Sequence, residues 1–298
     1  MFESVVFAGG GHRCWWQVGW WSAVSEKVSL APRQIAGVSA GAATACLLYA
    51  SDAATALAYS RRVLGPTARN FYPRHLFRRG QKVLPHEQIY RDALSELLGG
   101  QAFERLMESA PPIRIMFARP PRRLPPTLAV AAGLAAYNIE KYWFRPLHPR
   151  FGVGLGFTPE IATVQSCRNA EELVNLIIAS SSTPPFTSIQ RIGGGPVLDG
   201  GLIDNVPVGA LEVLEAVAGQ PPAASLPTTL VLVTRRYRNF APVFEQDGRV
   251  YVQPSEKVAA SSWDYTNPGD YQATFDQGRR DAQLFLQWLR KYSSMEMQ

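Results

Sequence analysis

Short, unbroken apolar runs alternate with longer helical patterns along the N-terminal part of the chain. Ser4-Val5-Val6-Phe7-Ala8 is β-branched and apolar at successive positions, the pattern of a strand buried on both faces. Gly9-Gly10-Gly11 follows it, and residues 15–26 then read as a helix with a thick apolar face. The same unit recurs at once: Gln34-Ile35-Ala36 as a short strand, residues 37–41 as a tight turn, and Ala42 to Ala50 as an Ala/Leu-rich helix. Two strand–turn–helix units in tandem predict a parallel sheet with crossover helices. Further along, residues 87–108 read as helix broken at Gly99-Gly100, and Ile113 to Ala118 as a strand. Glu171 to Ser181 reads as helix, and Ile189 to Leu198 as a hairpin turning at Gly193-Gly194-Gly195. Asp199-Gly200-Gly201 is a sharp turn. Asp204 or Asn205 can cap a helix starting near Pro207, because proline suits the first helical position. Thr229 to Val233 reads as a buried strand and Tyr271 to Tyr292 as a C-terminal helix. No period repeats along the chain.

One apolar stretch breaks the polar–apolar balance. Arg119-Pro120-Pro121-Arg122-Arg123-Leu124-Pro125-Pro126 leads into Thr127 to Phe144, where Leu128 to Ile139 carries no charge and Tyr142-Trp143-Phe144 follows. The stretch falls short of the ~20 apolar residues of a membrane span. A core helix or a homodimer contact is its plainest reading. Flanking arginines and terminal aromatics also suit an interfacial helix or a lid. Trp15, Trp16, Trp20 and Trp21 lie at helical spacing, which favours core over ligand wall.

Composition narrows the class. The 298 residues are 46% hydrophobic and 18% charged, as expected of a globular α/β protein with a sizeable core. The net charge of +6 is uneven: residues 60–156 hold 16 Lys/Arg and 6 Asp/Glu, and the remainder 14 and 18, so the middle carries +10 and the rest −4. Such a region faces anionic lipid or nucleic acid, or is simply solvated. No recognition motif supports nucleic acid, and none is expected as a partner. Cys14, Cys46 and Cys167 are odd in number and widely spaced, and the start reads as a strand rather than a leader, so a cytoplasmic location is expected. His12, His75, His86 and His148 do not cluster, and no metal site is expected.

Candidate chemistry centres on Gly37-Val38-Ser39-Ala40-Gly41, a Gly-x-Ser-x-Gly turn between a strand and a helix. This is the setting of a nucleophile elbow, with Ser39 at a helix N-terminus where developing negative charge is favoured. A glycine turn with a helix-capping serine gives the same pattern. A nucleophilic serine needs a proton acceptor. The last histidine, His148, lies among Pro146, Pro149 and Arg150, which disfavours a Ser–Asp–His triad. Asp199 follows a strand-like run and precedes two glycines; partial burial would make it a better base, although a turn aspartate bonding its own backbone is the bland reading. Gly9-Gly10-Gly11 can converge amides on an anion. It lacks the Gly-Lys-Ser/Thr ending of a P-loop and the Gly-x-Gly-x-x-Gly of a dinucleotide site. Gly152-Val153-Gly154-Leu155-Gly156 reads as a flexible loop.

Four ordered blocks resemble the patatin-like phospholipase family: Gly9-Gly10-Gly11-His12-Arg13, the turn at 37–41, Ala179-Ser180-Ser181-Ser182-Thr183-Pro184, and Asp199-Gly200-Gly201. The resemblance covers residues 3–210. It implies a three-layer α/β/α fold with a mostly parallel sheet and a serine hydrolase acting on lipid acyl esters without a cofactor, of phospholipase A or lysophospholipase type. It further implies Ser39 as nucleophile, Asp199 as proton acceptor, and an oxyanion and binding loop at Gly9, Gly10, Gly11 and Arg13. Residues 1–298 are then one domain, with 119–156 as a lid or membrane-facing insertion and 229–298 completing it. An anionic membrane surface, at the inner face, is the expected partner. A catalytically weak membrane scaffold that keeps the fold is the alternative. The chain departs from the family pattern at Ala8, where Asp is common, and at Cys14, where Gly is common.

Overall fold

The computed structural model describes residues 2–77, 83–121, 123–140, 143, 146–148, 151–211 and 229–296. In chain order the elements are β1 (Ser4–Phe7), α1 (Trp15–Ser25), β2 (Gln34–Val38), α2 (Ala40–Ala50), α3 (Ala53–Leu64), α4 (His86–Leu97) and α5 (Gln101–Ser109). Then come β3 (Ile113–Arg119), α6 (Pro126–Ile139), α7 (Phe151–Gly154), β4 (Thr158–Thr163), α8 (Ala170–Ser180), β5 (Gln190–Ile192) and β6 (Gly195–Asp199). β7 (Thr229–Leu232), β8 (Val243–Gln246), β9 (Arg249–Val252) and α9 (Pro268–Glu296) end the chain.

The strands form one mixed sheet in the order β5-β6-β3-β2-β1-β7-β9-β8, with β4 also pairing β3. Its centre, β3-β2-β1-β7-β9, is parallel, with Val5 opposite both Ile35 and Leu230. β4, β6 and β8 run antiparallel to their neighbours. All of β1 is buried. Its side chains alternate between layers as a pleated strand requires: Val5 and Phe7 enter the core beneath α1, α2, α8 and α9, whereas Val6 and Ala8 pack on the other face with Val206, Leu211 and Val231. α6 covers that second face beside Ala118 and Leu198. The architecture is thus three-layer α/β/α, as the sequence predicts.

Trp16 and Trp20 are fully enclosed between α1 and α9. The two helices approach through glycines: a Cβ on Gly19 would lie 2.0 Å from the Phe275 carbonyl oxygen, and one on Gly278 would lie 2.2 Å from that of Trp16. The Trp16 indole N–H donates to Asp281 at 2.8 Å, which satisfies an otherwise costly buried donor.

Several elements differ from expectation. α3 was not apparent in the sequence pattern, although Asp52 caps it by accepting from the Thr55 N–H. The hairpin β8–β9 turns at Asp247-Gly248, both at positive φ. Residues 151–154 form a helical turn rather than a flexible loop, and Gly152 packs closely there, since a Cβ on it would meet the Leu202 carbonyl at 2.1 Å. Residues 209–211 are helical, and the rest of the segment expected to follow Pro207 lies outside the described residues. Neither expected cap serves it: Asp204 accepts from the Val206 N–H, and Asn205 reaches Gly9. Tyr142 and Phe144, and the arginines at 122, 145 and 150, also lie outside the described residues.

Candidate active site

Ser39 joins β2 to α2 at φ 54° and ψ −133°, in a region that non-glycine residues rarely adopt. Such a residue carries on the order of 1–3 kcal/mol of strain and persists only where its surroundings enforce it. Here the flanking glycines permit the bend. A Cβ on Gly37 would lie 2.7 Å from the Ala42 Cα, and one on Gly41 would lie 2.4 Å from the Phe7 carbonyl oxygen. The Ser39 N–H donates to Ser180 Oγ at 2.8 Å, and Ser180 Oγ donates to the Met116 carbonyl at 2.6 Å. The Ser39 carbonyl accepts from the amides of Ala42 and Ala43. The residue is buried.

Asp199 ends β6, and its N–H donates to the Ser182 carbonyl at 2.8 Å. Its Oδ1 accepts from the Gly201 N–H at 2.7 Å, and its Oδ2 from Thr183 Oγ1 at 3.1 Å. Ser39 also lies close enough to the carboxylate for its side chain to favour the ionised form. Burial lifts the Asp199 pKa from 3.8 to about 6, against the opposing effect of nearby Ser39 and of the bonds from Gly201 and Thr183. Glycine is required at 200, where a Cβ would stand 2.5 Å from the Met116 carbonyl. The serine-rich block is therefore a brace: Ser180 holds the Ser39 backbone, while Ser182 and Thr183 hold Asp199. Spacing alone does not single out Ser180, Ser182 or Thr183.

The glycine loop divides its labour. The Gly9 N–H donates to the Asn205 carbonyl at 3.0 Å, and the Gly9 carbonyl accepts from Asn205 Nδ2 and Thr234 Oγ1. Gly9 is thus a structural tether, and the expectation of an oxyanion amide there is corrected: the donor is already engaged. Among the described residues the Gly10 and Gly11 amides donate to no protein group. Gly11 has φ +56°, and a Cβ there would lie 2.2 Å from the Ser262 carbonyl. Arg13 is half-buried, and its Nε donates to the Gly10 carbonyl at 3.1 Å. Burial, and then the Arg235 guanidinium, lower its pKa. Arg235 in turn donates to Tyr137 Oη at 2.5 Å. Among the described residues neither arginine meets a carboxylate at ion-pair distance.

Among the described residues no histidine hydrogen-bonds to Ser39. Both ring nitrogens of His148 are engaged, Nδ1 with Asp204 at 3.0 Å and Nε2 with Tyr251 Oη at 2.9 Å. His12 packs against Tyr265 and Tyr271, and burial together with His86 lowers its pKa to about 3. It is therefore neutral near pH 7.

Ser39 opens onto an apolar pocket between α1, α2, α3 and α4, walled by Trp15, Val18, Ala43, Leu47, Ile89 and Leu97. Of the tryptophans on α1, Trp15 lines this pocket, whereas Trp16 and Trp20 are core. The strained serine and Gly11, whose amide donates to no protein group among the described residues, thus line one pocket.

A family model for patatin-like phospholipase matches residues 5–212, which include every one of these groups except Thr234, Arg235 and the aromatic wall beyond them. The chain belongs to the patatin-like phospholipase family. Lipid acyl hydrolysis is accordingly its class of activity. Among solved structures it is similar to VipD from Legionella pneumophila, at 12% identity and a TM-score of 0.47, over 96% of this chain and 67% of that one. No curated protein matches it in sequence. Among the described residues no helix is long and apolar enough to cross a membrane.

Proposed function

We propose that this patatin-like chain hydrolyses lipid acyl esters through Ser39 and Asp199. The observation that carries the reading is a strained Ser39 that lines an apolar pocket and has a buried carboxylate of raised pKa, Asp199, as its neighbour. Ser39 Oγ attacks the ester carbonyl carbon as Asp199 takes the hydroxyl proton. The tetrahedral oxyanion meets the free amides of Gly10 and Gly11 at the start of the loop leading into α1. Collapse breaks the ester C–O bond, Asp199 returns its proton to the leaving alcohol, and Ser39 is left acylated. Water then attacks the acyl-enzyme with Asp199 again as base, releasing the fatty acid.

The apolar pocket suits the acyl chain. Arg13 and Arg235, two cations without a carboxylate beside the loop, favour an anionic headgroup over a neutral glyceride. Phospholipase A or lysophospholipase activity is the substrate reading that follows. The same reading takes residues 1–298 as one catalytic unit, because β7 and β9 extend the sheet that carries β1 and β2. A panel of phospholipid, lysophospholipid, neutral glyceride and short soluble ester tests it on wild type, Ser39→Ala and Asp199→Asn. The expected result is turnover by wild type, fastest on the phosphate-bearing esters, and a loss of about 10³-fold or more in both variants. Turnover surviving in Ser39→Ala would reject the nucleophile.

A further inference from the structure

The middle of the chain presents an apolar face that the hydrolytic chemistry does not use. On α6 the exposed positions are 128, 131, 135, 138 and 139, one stripe of a helix. They are Leu128, Ala131, Ala135, Asn138 and Ile139. No charged residue occurs between Arg123 and Glu140. A surface helix of a globular protein ordinarily carries charges on its outer face. Leu128 is 58% exposed, Ile139 47% and Trp143 83%. Of the eight large hydrophobic residues exposed among the described residues, six lie between Leu124 and Leu155, so the apolar exposure is concentrated here and not scattered.

The sequence around α6 is mostly of one charge sign. Residues 119–156 contain six Lys/Arg (Arg119, Arg122, Arg123, Lys141, Arg145, Arg150) and one acid, Glu140, a net of +5. Glu140 is buried. Arg119 is engaged by Glu160, whereas Arg123 is exposed. The opposite face of α6 rests on the turn that follows Asp199, through Ala129, Val130, Phe157, Leu202 and Ile203. Tyr137, also on α6, accepts from Arg235 beside the glycine loop.

We infer that the outer face of α6, with Leu128, Ile139 and Trp143, docks this protein on the surface of an anionic lipid bilayer. At 14 residues α6 is about 21 Å long, too short to span a hydrocarbon core but suited to lying in the interface. A tryptophan at its end and cations in its flanks match the headgroup layer. A second copy of the chain would bring two segments of net positive sequence charge together, which disfavours a homodimer there. The inference deepens the lipid-hydrolase reading, and its test separates the two.

The test uses vesicles of phosphatidylcholine alone and mixed with phosphatidylglycerol, and p-nitrophenyl butyrate as a soluble ester. Wild type should co-sediment with the mixed vesicles and far less with the neutral ones. Leu128→Asp/Ile139→Asp should bind them about tenfold or more weakly, while cleaving the soluble ester at the wild-type rate. These positions are exposed, and circular dichroism verifies the fold. Arg123→Gln, the milder change, should weaken binding only where the vesicles are anionic. Lipid brominated on its acyl chains should quench part of the tryptophan emission, and Trp143→Phe should remove that part. Unchanged vesicle binding in the double variant, or quenching that persists in Trp143→Phe, overturns the proposal. So does a wild-type dimer that the double variant dissociates without any vesicle binding. Vesicle binding through α6 by a protein that cleaves no ester would leave the docking face standing and reject the hydrolase reading instead.

Discussion

Asp199 is a carboxylate held where it resists ionisation. Its folded pKa of about 6 exceeds the ordinary 3.8 because burial removes water, and nearby Ser39 together with the bonds from Gly201 and Thr183 only partly offsets that loss. Two consequences follow with opposite signs. As a base it must be ionised, so kcat/KM should rise with pH through about 6 and then level off. As a buried charge it destabilises the fold. The folded state binds the proton more tightly than the unfolded chain, so this group's stabilising contribution is full below 3.8 and is lost as pH rises through about 6. Asp199→Asn removes the charge. It should be more stable than wild type at pH 7 by about 1–3 kcal/mol, with the gap closing toward pH 4. Urea denaturation of both proteins at several pH values measures this; a variant less stable than wild type at pH 7 would contradict it. More stable and less active is the pairing expected of a strained functional residue.

At the scale of elements, α2 links the reaction to its selectivity. Ser39 caps it, and Ala40, Ala43, Thr44 and Leu47 form one stripe along the pocket. From Ser39 to Leu47 the helix rises about 12 Å. An extended acyl chain advances about 1.25 Å per carbon, given C–C bonds near 1.5 Å, so this wall matches a chain of about ten carbons. Ala43→Leu should fill the channel midway and lower the ratio of long-chain to short-chain kcat/KM by about tenfold. A series of p-nitrophenyl esters of increasing length reads that ratio, and an unchanged ratio would place the acyl chain elsewhere. The elements that carry this site were legible in the sequence because each turn requires particular residues. Gly37 and Gly41 flank the bend, Gly200 yields to Met116, and β1 and β2 are too short and apolar to be anything but buried strands. The brace was not legible. Ser180 meets Ser39 across 141 residues and Thr234 meets Gly9 across 225, and no local pattern encodes such separations. β4, Thr-Pro-Glu-Ile-Ala-Thr, lacks alternation because it is a half-buried strand with a proline. The Asp247-Gly248 turn of β8–β9 did carry a hairpin signal of the usual kind.

At the scale of the molecule, segments far apart in sequence close on the same few atoms. The family-matched portion ends at residue 212, yet Thr234, Ser262, Trp263 and Tyr265 shape the glycine loop and the pocket wall. α9 reaches back to α1 through Trp16 and Asp281. The second face of the sheet supplies α6, whose inner side supports the Asp199 turn and whose outer side is apolar. Ser39, Asp199, the apolar pocket and α6 are thus arranged around one sheet, and the proposed hydrolysis depends on Ser39 being the reacting group. A fluorophosphonate, which phosphonylates an activated serine and leaves a tetrahedral adduct, examines that dependence directly. Intact-mass and peptide-mapping spectrometry should find one adduct per chain, on Ser39, formed faster as pH rises through about 6 and slowed about 10³-fold in Asp199→Asn. An adduct on a different residue, or equal labelling of Ser39→Ala, would contradict the account.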